Sequence, residues 1–428
     1  MPTNLPNFQV SDMVFIDSLT GWIVTGNDTP NDSSGYILKT TNAGDNWDLQ
    51  LFDVRDFARV IFLNNNTGYV CGGYNTGARL LKTTNGGTNW FQINGPGGQI
   101  FYNDMSVFNE DTIYITIHES LTGGVFLTTN GGASWTRKYY AGGTSNPDKI
   151  YFANNKLGFA ERSTHNYLRT TNFGDSWNIV NGPFIWFNDM KFVDSLTGYK
   201  ANGFMMKTTD GGLNWTQQTL PHAKNFFNPD AIKFTQIGDT LWAVGANIFV
   251  PVNGSDDILN FETRGIIYFT SNGGANWGYQ LPDTSINIFK YDFVDFINSN
   301  TGWAYQSING GIHTTTGGGP TIYVNVFSIS HEIPADYKLH QNYPNPFNPV
   351  TRISYDIKKS SDVALDVYDI TGKHIHNIVK QRQEPGSYAV DFDARFHGAS
   401  SGLSSGIYFC ILKAGNNFIS NIKMLLVK

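Results

Sequence analysis

One short phrase recurs six times in the first two-thirds of the chain. It has Thr or Ser, then Asn or Asp, a Gly two residues later and a Trp three residues after that Gly. The copies end at Trp47, Trp90, Trp135, Trp177, Trp215 and Trp277, so their spacings are 43, 45, 42, 38 and 62 residues. A period of about 40 residues is typical of β-propellers, in which each repeat folds as one four-stranded blade. The repeat therefore predicts an all-β propeller.

The phrase itself predicts a tight hairpin turn. Asn-Gly and Asp-Gly pairs supply the positive φ that such turns require, and the Asn or Asp side chain accepts hydrogen bonds from nearby amides. The Trp is expected to fold back under the hairpin and bury its ring. The residues predicted to build these turns are Asn42, Trp47, Asn85, Trp90, Asn130, Trp135, Asn172, Trp177, Asp210, Trp215, Asn272 and Trp277.

A second phrase marks the start of each unit and gives the blade count. It reads Phe-x-Asp/Asn, then Thr-Gly-Trp/Tyr, as in Phe15–Trp22 and Phe192–Tyr199. The last copy, Phe296–Trp303, is followed by a Gly-rich turn without a Trp, so we count six complete blades and one degenerate blade. The long gap before Trp277 indicates an insertion over about 247–264, which we expect to form a loop on one face. Either 321–327 or 8–10 is expected to close the ring.

The TTNGGxxW phrase resembles the Asp-box, also called the bacterial neuraminidase repeat. Combined with the second phrase, it is most similar to the seven-bladed propellers related to photosystem II assembly factors. The resemblance spans about residues 8–327 and implies the fold. It implies little about function, because Asp-boxes occur in sialidases, other glycosidases, receptors and assembly factors alike.

The period stops near Pro334, and the rest of the chain contains short strands separated by Gly-rich and Pro-rich turns. About seven strands in this length predict a small Ig-like β-sandwich. The phrases NYPNPFNP, VYDITGK, EPGSY, SSGIYF and a terminal KMLLVK resemble the C-terminal sorting domain of the type IX secretion system. The resemblance implies that the outer-membrane translocon recognises this domain. The residues assigned to the sorting signal are Asn342, Pro344, Asn345, Pro346, Phe347, Asn348, Pro349, Gly372, Gly406 and Lys428.

These boundaries predict a propeller over 1–328, a linker over 329–340 and the sorting domain over 341–428. Type IX cargo crosses the inner membrane with an N-terminal leader, and the polar start of this sequence lacks one. We therefore interpret Met1 as a trimmed or truncated start of a protein exported through the periplasm to the outer-membrane surface or the extracellular space. Cys71 and Cys410 fall in different domains, which makes a disulfide between them improbable.

Composition excludes two classes of partner. The net charge is −6 and no run of basic residues is present, which argues against nucleic-acid binding. No apolar segment approaches the roughly 20 residues that span a bilayer.

The sequence shows no constellation that indicates catalysis, a cofactor or a bound metal. The propeller has few arginines, and none recurs where a sialidase carboxylate clamp needs them. Carboxylates available to another glycosidase are Asp104, Glu110, Glu119, Glu161, Asp189 and Asp292. The acidic loops 27–32 and 253–257 lack the register of a calcium loop, and His374 with His376 is interpreted as a solvent-facing pair.

We therefore expect a non-catalytic binding or adhesion propeller for a glycan or a protein. The alternative is a surface glycoside hydrolase or lyase that degrades polysaccharide. Aromatic residues at 184–187 and 226–227 are candidates for ligand stacking, although packing between blades is the simpler interpretation. A group of carboxylates at a mouth of the central channel would favour the enzyme, and an aromatic or featureless mouth would favour binding.

Overall fold

The chain forms two compact units, one holding most of residues 1–320 and the other most of residues 321–428. The computed structural model describes residues 9–26, 34–73, 77–97, 101–118, 123–140, 146–162, 166–180, 186–218, 220–221, 226–228, 231–251, 261–275, 277–283, 285–286, 288–308, 310–319, 321–322, 327–330, 334–383, 385–394, 403–415 and 418–427. Within these ranges all the regular elements are β-strands, as the sequence predicts.

Seven antiparallel sheets follow one another along the first unit, and each is one propeller blade. Blade 1 contains β1 (Gln9–Phe15), β2 (Gly21–Gly26), β3 (Gly35–Thr40) and β4 (Asp48–Asp53). Blade 2 contains β5 (Phe57–Phe62), β6 (Gly68–Gly72), β7 (Arg79–Thr83) and β8 (Phe91–Gln92). Blade 3 contains β9 (Phe101–Val107), β10 (Ile113–His118), β11 (Gly124–Thr128) and β12 (Thr136–Tyr140). Blade 4 contains β13 (Pro147–Phe152), β14 (Gly158–Arg162), β15 (Asn166–Thr170) and β16 (Asn178–Val180). Blade 5 contains β17 (Asp189–Phe192), β18 (Gly198–Ala201), β19 (Met205–Thr208) and β20 (Thr216–Gln217).

The sixth and seventh blades depart from this pattern. Blade 6 contains β21 (Phe226–Asn228), β22 (Lys233–Ile237), β23 (Thr240–Pro251), β24 (Phe261–Thr270) and β25 (Gly278–Gln280). Blade 7 contains β26 (Phe293–Phe296), β27 (Gly302–Gln306) and β28 (Gly310–Thr314), and a short strand β29 (Thr321–Ile322) follows. The predicted insertion over 247–264 is therefore not a simple loop. Its two arms extend β23 and β24, which stay paired as far as Pro251 and Phe261, and β21 joins β23 as an extra strand.

Stacked aromatic side chains join five pairs of adjacent blades. Trp22 of blade 1 stacks on Phe62 of blade 2 with ring centroids 3.6 Å apart. The ring of blades closes in the same way, because Phe15 of blade 1 stacks on Trp303 of blade 7 at 3.6 Å. The Val10 N–H also donates to the Ser307 carbonyl at 2.9 Å. Among the described residues blade 7 has three strands, so the contact between first and last blades closes the ring without a shared fourth strand.

A threonine organises each hairpin turn, and it is buried in the first six blades. It stands immediately before the recurrent phrase, and in blade 2 it is Thr83, which is 0% exposed. Its Oγ1 donates to Asn85 Oδ1 at 3.0 Å and accepts the Gly87 N–H at 2.9 Å. Asn85 Oδ1 accepts the Asn89 N–H at 2.9 Å, which completes the turn. The same threonine bond to the second glycine occurs in all seven blades.

The second glycine of the phrase is required by packing as well as by φ. Gly87 has a φ of 85°, and a Cβ there would lie 2.9 Å from Trp22 Nε1 of the preceding blade. The first glycine position is less restricted, because Ala43 and Phe173 occupy it at φ values of 62° and 55°. Its carbonyl is the inter-blade acceptor, and Trp303 Nε1 donates to the Ala43 carbonyl at 2.8 Å. The turns therefore link adjacent blades as well as closing hairpins.

The tryptophans of the phrase are buried less uniformly than the sequence predicts. Trp47 and Trp277 are buried, whereas the other four rings are only half-buried. Four of the rings, those of Trp47, Trp90, Trp177 and Trp215, pack edge-on against the phenylalanine of their own first strand, and Trp90 does so against Phe62 with centroids 6.0 Å apart.

Substituting Thr83 with valine is expected to lower the free energy of unfolding by about 2 kcal/mol, because the buried Gly87 N–H loses its acceptor while the side-chain shape is kept. Denaturant titration of the full chain measures this loss. Thr88→Val is the matched control, since Thr88 is exposed and donates only to the Asn85 carbonyl. Equal effects of the two substitutions would show that the buried hydroxyl has no special role.

The second unit is a β-sandwich of two antiparallel four-stranded sheets. One has the order β30 (Phe327–Ser330), β35 (Gly386–Asp393), β32 (Val350–Ile357) and β31 (Lys338–Leu339); the other has β34 (His374–Gln383), β33 (Ser361–Asp369), β36 (Gly406–Ala414) and β37 (Phe418–Leu426). Their inner faces share one apolar core, in which Val363, Leu365 and Val367 are buried on one side of β33, as their alternation predicts.

Two strands of this sandwich fall at or within the segment predicted as a linker. Ser328 of β30 pairs with Tyr388, and Leu339 of β31 pairs with Tyr355. Both strands were missed in the sequence because each is too short to show an alternating pattern. The Pro-rich composition of the region also favoured the interpretation as a linker. We infer that the sandwich begins ahead of residue 341, and that 329–340 is not simply a linker.

Candidate functional site

Seven residues at one register of the innermost strands line the propeller axis, and we call them the axial ring. Each pairs with the residue at the same register of the neighbouring second strand. In blade order the axial ring is Asp12, Arg59, Asp104, Lys149, Asp189, Lys233 and Phe293. The charges alternate in sign over six blades. Alternation cannot close around an odd number of blades, and the seventh position is the uncharged Phe293.

The acidic members of the axial ring join adjacent blades through the main chain. Asp12 Oδ2 accepts the N–H of Val60 in the next blade at 3.1 Å. Asp104 Oδ2 likewise accepts the Ile150 N–H at 3.0 Å, and Asp189 Oδ2 the Phe234 N–H at 3.3 Å. Because these strands have no ladder partner on that side, the carboxylates supply the acceptors that their amides need.

Arg59 lies between two of these carboxylates. Its Nη1 is 3.5 Å from Asp12 Oδ2 and its Nε is 3.4 Å from Asp104 Oδ1. These two charges raise the pKa of the guanidinium, with Asp12 the larger influence. Asp12 and Asp104 are both buried, so their charges are compensated inside the protein instead of by water.

A second layer of charge follows two residues further along the innermost strands, and a cavity opens between the two layers. Lys191 and Asp295 form this layer, and Asp295 Oδ2 accepts the Phe15 N–H at 3.0 Å. Burial raises the pKa of Asp295 and the nearby Lys191 opposes that shift. The cavity has a volume of about 190 Å³, and its lining includes Arg59, Lys191 and Lys233.

The carboxylates that the sequence offers to a glycosidase do not converge on one place. Asp104 and Asp189 lie in the axial ring. The exposed Glu110 pairs with Lys82 Nζ at 2.8 Å, and Asp292 Oδ2 accepts the Ser307 N–H at 3.0 Å. Glu119 lies outside the described residues.

Among the described carboxyl groups that the sequence offers to a glycosidase, Glu161 has the pKa that is raised most. It lies on β14, paired across the strands with Lys149, and is half-buried. Burial raises the pKa of Glu161 to about 7, and the charge of Asp148 adds to the shift.

Other candidates from the sequence contribute little to a site. Phe187 is buried in a core with Met190, which supports packing between blades for that residue. The acidic loops 27–32 and 253–257 and Phe184 lie outside the described residues, as do the side chains at 226–227. No group of three metal-binding side chains is found in the described part of the chain.

The histidine pair is not simply solvent-facing. His374 Nε2 is 3.0 Å from Asp366 Oδ1 and half of its side chain is exposed. His376 is partly buried, and this burial lowers its pKa to about 4. It therefore stays neutral over most of the accessible pH range.

The NYPNPFNP segment lies against the last strand of the chain. Asn345 Nδ2 donates to the Lys423 carbonyl at 3.0 Å, and its Oδ1 accepts the Leu425 N–H at 2.9 Å. Phe347 continues this pairing, because its N–H donates to the Leu425 carbonyl and its carbonyl accepts the Val427 N–H. The segment and the terminal strand therefore form one structural unit.

The remaining signal residues serve the fold of this domain in different ways. Asn342 is buried, and its Nδ2 donates to Thr351 Oγ1 at 2.8 Å. Gly372 has a φ of 82° in the turn after β33, and Gly406 begins β36. The peptide bonds that precede Pro344, Pro346 and Pro349 are cis. Asn348 is exposed, and Lys428 lies outside the described residues.

The axial ring was missed in the sequence, although a signal for it is present. Asp12, Arg59 and Asp189 each stand nine positions before the Gly that begins the second strand of the blade. Superimposing the repeats at that Gly places opposite charges at one position of successive blades. The pattern is hidden in a linear reading because the members are about 40 residues apart.

Comparison with solved structures identifies the propeller fold. YCF48 bound to D1 peptide matches with a TM-score of 0.51 and 17% identity, covering 73% of this chain and 95% of that one. YCF48 from Cyanidioschyzon merolae matches with a TM-score of 0.51 and 16% identity, covering 72% and 97%. The GH74 enzyme of Niastella koreensis gives a TM-score of 0.44 at 13% identity, covering 88% and 72%, which is too low to indicate function. Among curated protein sequences, none matches this chain.

The C-terminal unit has a more specific relationship. Residues 341–428 match the family described as secretion system C-terminal sorting domain. In the part of the chain that the structure describes, no helix has the length and apolar character to cross a membrane. The chain is thus a seven-bladed β-propeller that carries a type IX sorting domain over residues 341–428, which directs its export to the cell surface or the extracellular space.

Proposed function

We propose that this exported propeller is a non-catalytic binding module for a glycan or a protein. One observation carries the proposal: the three carboxylates of the axial ring each accept a main-chain N–H from the next blade and alternate with cations. Glycoside hydrolysis needs a pair of carboxyl groups free to protonate the leaving group and to attack or activate water. The carboxylates of the axial ring are instead used to hold blades together.

The solved relatives are compatible with a binding role. YCF48 has been solved with a D1 peptide, so a propeller of this fold accommodates a peptide ligand. At 17% identity the likeness concerns the fold alone, and the ligand of the present chain must be found by experiment.

The test is a binding screen of the full chain against glycans and surface proteins, run beside a polysaccharide-hydrolysis assay. The proposal expects saturable binding with no turnover. Hydrolysis or lyase cleavage of any polysaccharide in the panel would overturn it.

A glycoside hydrolase is the second candidate function, and Glu161 is the observation that favours it. A carboxyl with a pKa of about 7 beside a second carboxylate, Asp148, has the protonation state that a general acid needs near neutral pH. If the hydrolysis assay shows turnover, Glu161→Gln is expected to abolish it while the protein stays folded. Full activity of that variant would exclude Glu161 as the acid.

For the sorting domain we propose that Asn345 acts by fixing the terminal strand in the form that the secretion machinery recognises. Asn345→Ala removes two hydrogen bonds to that strand and is expected to reduce export several-fold, since each bond contributes about 1 kcal/mol. The measurement is the fraction of protein outside the cell in a host that has type IX secretion. Asn348→Ala is the matched control, because Asn348 has no hydrogen bond to any described residue. An equal loss with Asn348→Ala would indicate that the motif is read directly by its side chains.

A further inference from the structure

The axial cavity has hydrogen-bond acceptors that are already occupied. Three carboxylates line it, from Asp12, Asp189 and Asp295. Each accepts a main-chain N–H of a neighbouring blade at 3.0 to 3.3 Å. These oxygens are therefore partly satisfied before any ligand enters.

The cationic groups of the same cavity are less well satisfied. The ammonium of Lys233 has no hydrogen bond or ion pair with any residue that the structure describes, and its Nζ lies 5.9 Å from the centroid of the Phe293 ring. Arg59 Nε is buried without a hydrogen-bond partner in the described part of the chain, although it lies 3.4 Å from Asp104 Oδ1. Among the described residues, Lys191 Nζ has one weak hydrogen bond, to Thr235 Oγ1 at 3.4 Å. The hydrogen-bonding groups of the cavity that remain unused are therefore N–H donors, not acceptors.

The odd number of blades explains why the ammonium of Lys233 keeps unused donor capacity. In the axial ring, Arg59 stands between Asp12 and Asp104, and Lys149 stands between two carboxylates in the same way. Lys233 has Asp189 on one side only, because Phe293 occupies the seventh position. Burial lowers the pKa of Lys233, which reflects the cost of keeping its charge there. A negative group beside Lys233 offsets that cost.

We propose that the axial cavity binds a carboxylate group, with Lys233 as the side chain that recognises it. This inference rests on the proposed binding function and specifies one of its sites. A volume of about 190 Å³ admits a carboxylate with a short chain or one sugar ring, but not a folded partner. The carboxylate belongs either to an acidic sugar or to a peptide, and both present the same group to Lys233. Charge-assisted hydrogen bonds of this kind are shorter and stronger than neutral ones.

The experiment is calorimetric titration of the full chain with two pairs of probes. One pair is glucuronate and glucuronamide, and the other is N-acetylglycine and N-acetylglycinamide. We expect at least one acid to bind and its uncharged amide to bind roughly tenfold more weakly or not at all. Binding of glucuronate alone identifies a sugar acid, and binding of N-acetylglycine alone identifies a peptide carboxylate. Equal binding of acid and amide, or no binding of either acid, overturns the proposal.

Variants of the axial ring assign the site. Lys233→Met is expected to weaken binding of the acid roughly tenfold, and Lys233→Arg to preserve it. Lys149→Met is the matched control, because Lys149 has the same register but does not line the cavity. Thermal melts of each variant establish that it is folded. Unchanged binding by folded Lys233→Met, or equal losses in Lys233→Met and Lys149→Met, contradicts the assignment.

The two proposals fail in different ways. If neither acid binds while the glycan and protein screen yields a ligand, the carboxylate site is wrong and the binding function stands. If the hydrolysis assay shows turnover, the non-catalytic function is wrong whatever the acids do.

Discussion

Substituting Lys200 with methionine is expected to stabilise the protein by about 3 kcal/mol at pH 7. Lys200 is 0% exposed on β18, and its Nζ lies 4.9 Å from the Trp215 ring centroid and 5.2 Å from that of Tyr167. The other six blades carry buried apolar residues at this register: Ile23, Val70, Ile115, Ala160, Ala243 and Ala304. Methionine has nearly the length of lysine without its charge, so it suits the site.

The pH dependence of this effect follows from the pKa of Lys200, which burial lowers from 10.5 to about 7. The unfolded chain takes up the proton below about pH 10.5, whereas the folded chain takes it up only near pH 7. The wild-type protein therefore loses stability as the pH falls through this window, and the loss is constant below it. The shift corresponds to at most about 5 kcal/mol, and the interactions of the ammonium in the folded chain, which include its attraction to the two rings, offset part of this cost.

Denaturant titrations of the wild type and Lys200→Met at pH 7 and pH 10 measure this dependence. The variant is expected to be the more stable at pH 7, with a much smaller difference at pH 10. Lys156→Met is the control, because Lys156 is exposed and its substitution should change the stability little at either pH. A variant less stable than the wild type at pH 7 would mean that the charged ammonium stabilises the fold.

The sequence predicts the blades well because their signal is local. Each hairpin is specified by a few neighbouring residues, such as Asn85, Gly87 and the buried Thr83, which bond to one another within the turn. The blade count and the all-β class follow from repeating that signal. The sandwich is predicted for a similar reason, since the inner residues of β33 alternate with outer ones.

The features that sequence reasoning missed depend on contacts between blades. In the sequence Asp104 is only one of several carboxylates available to a glycosidase, and only the fold places it beside Arg59 and the Ile150 amide. Lys200 was not singled out in the sequence, and only the fold buries it against Tyr167 of the preceding blade and Trp215 of its own. Such residues are separated from their partners by about 40 positions, so no short-range pattern reports them.

Asp104→Ala is expected to lower the free energy of unfolding by about 3 kcal/mol. The substitution leaves the amides of Met105 and Ile150 without their carboxylate acceptor, and these bonds are 2.9 and 3.0 Å long. It also removes one of the two carboxylates that compensate Arg59. Unsatisfied buried amides cost about 1 to 3 kcal/mol each, and an uncompensated buried charge adds to that loss.

Measuring this loss tests directly whether the axial carboxylates hold the blades together and are not catalytic acids. Denaturant unfolding of the full chain is compared for the wild type, Asp104→Ala and the control Asp111→Ala, which alters an exposed aspartate of the same blade. The account predicts a loss of about 3 kcal/mol for Asp104→Ala and less than about 0.5 kcal/mol for the control. Unchanged or increased stability of Asp104→Ala, as expected for an active-site acid kept at a cost to the fold, would contradict it.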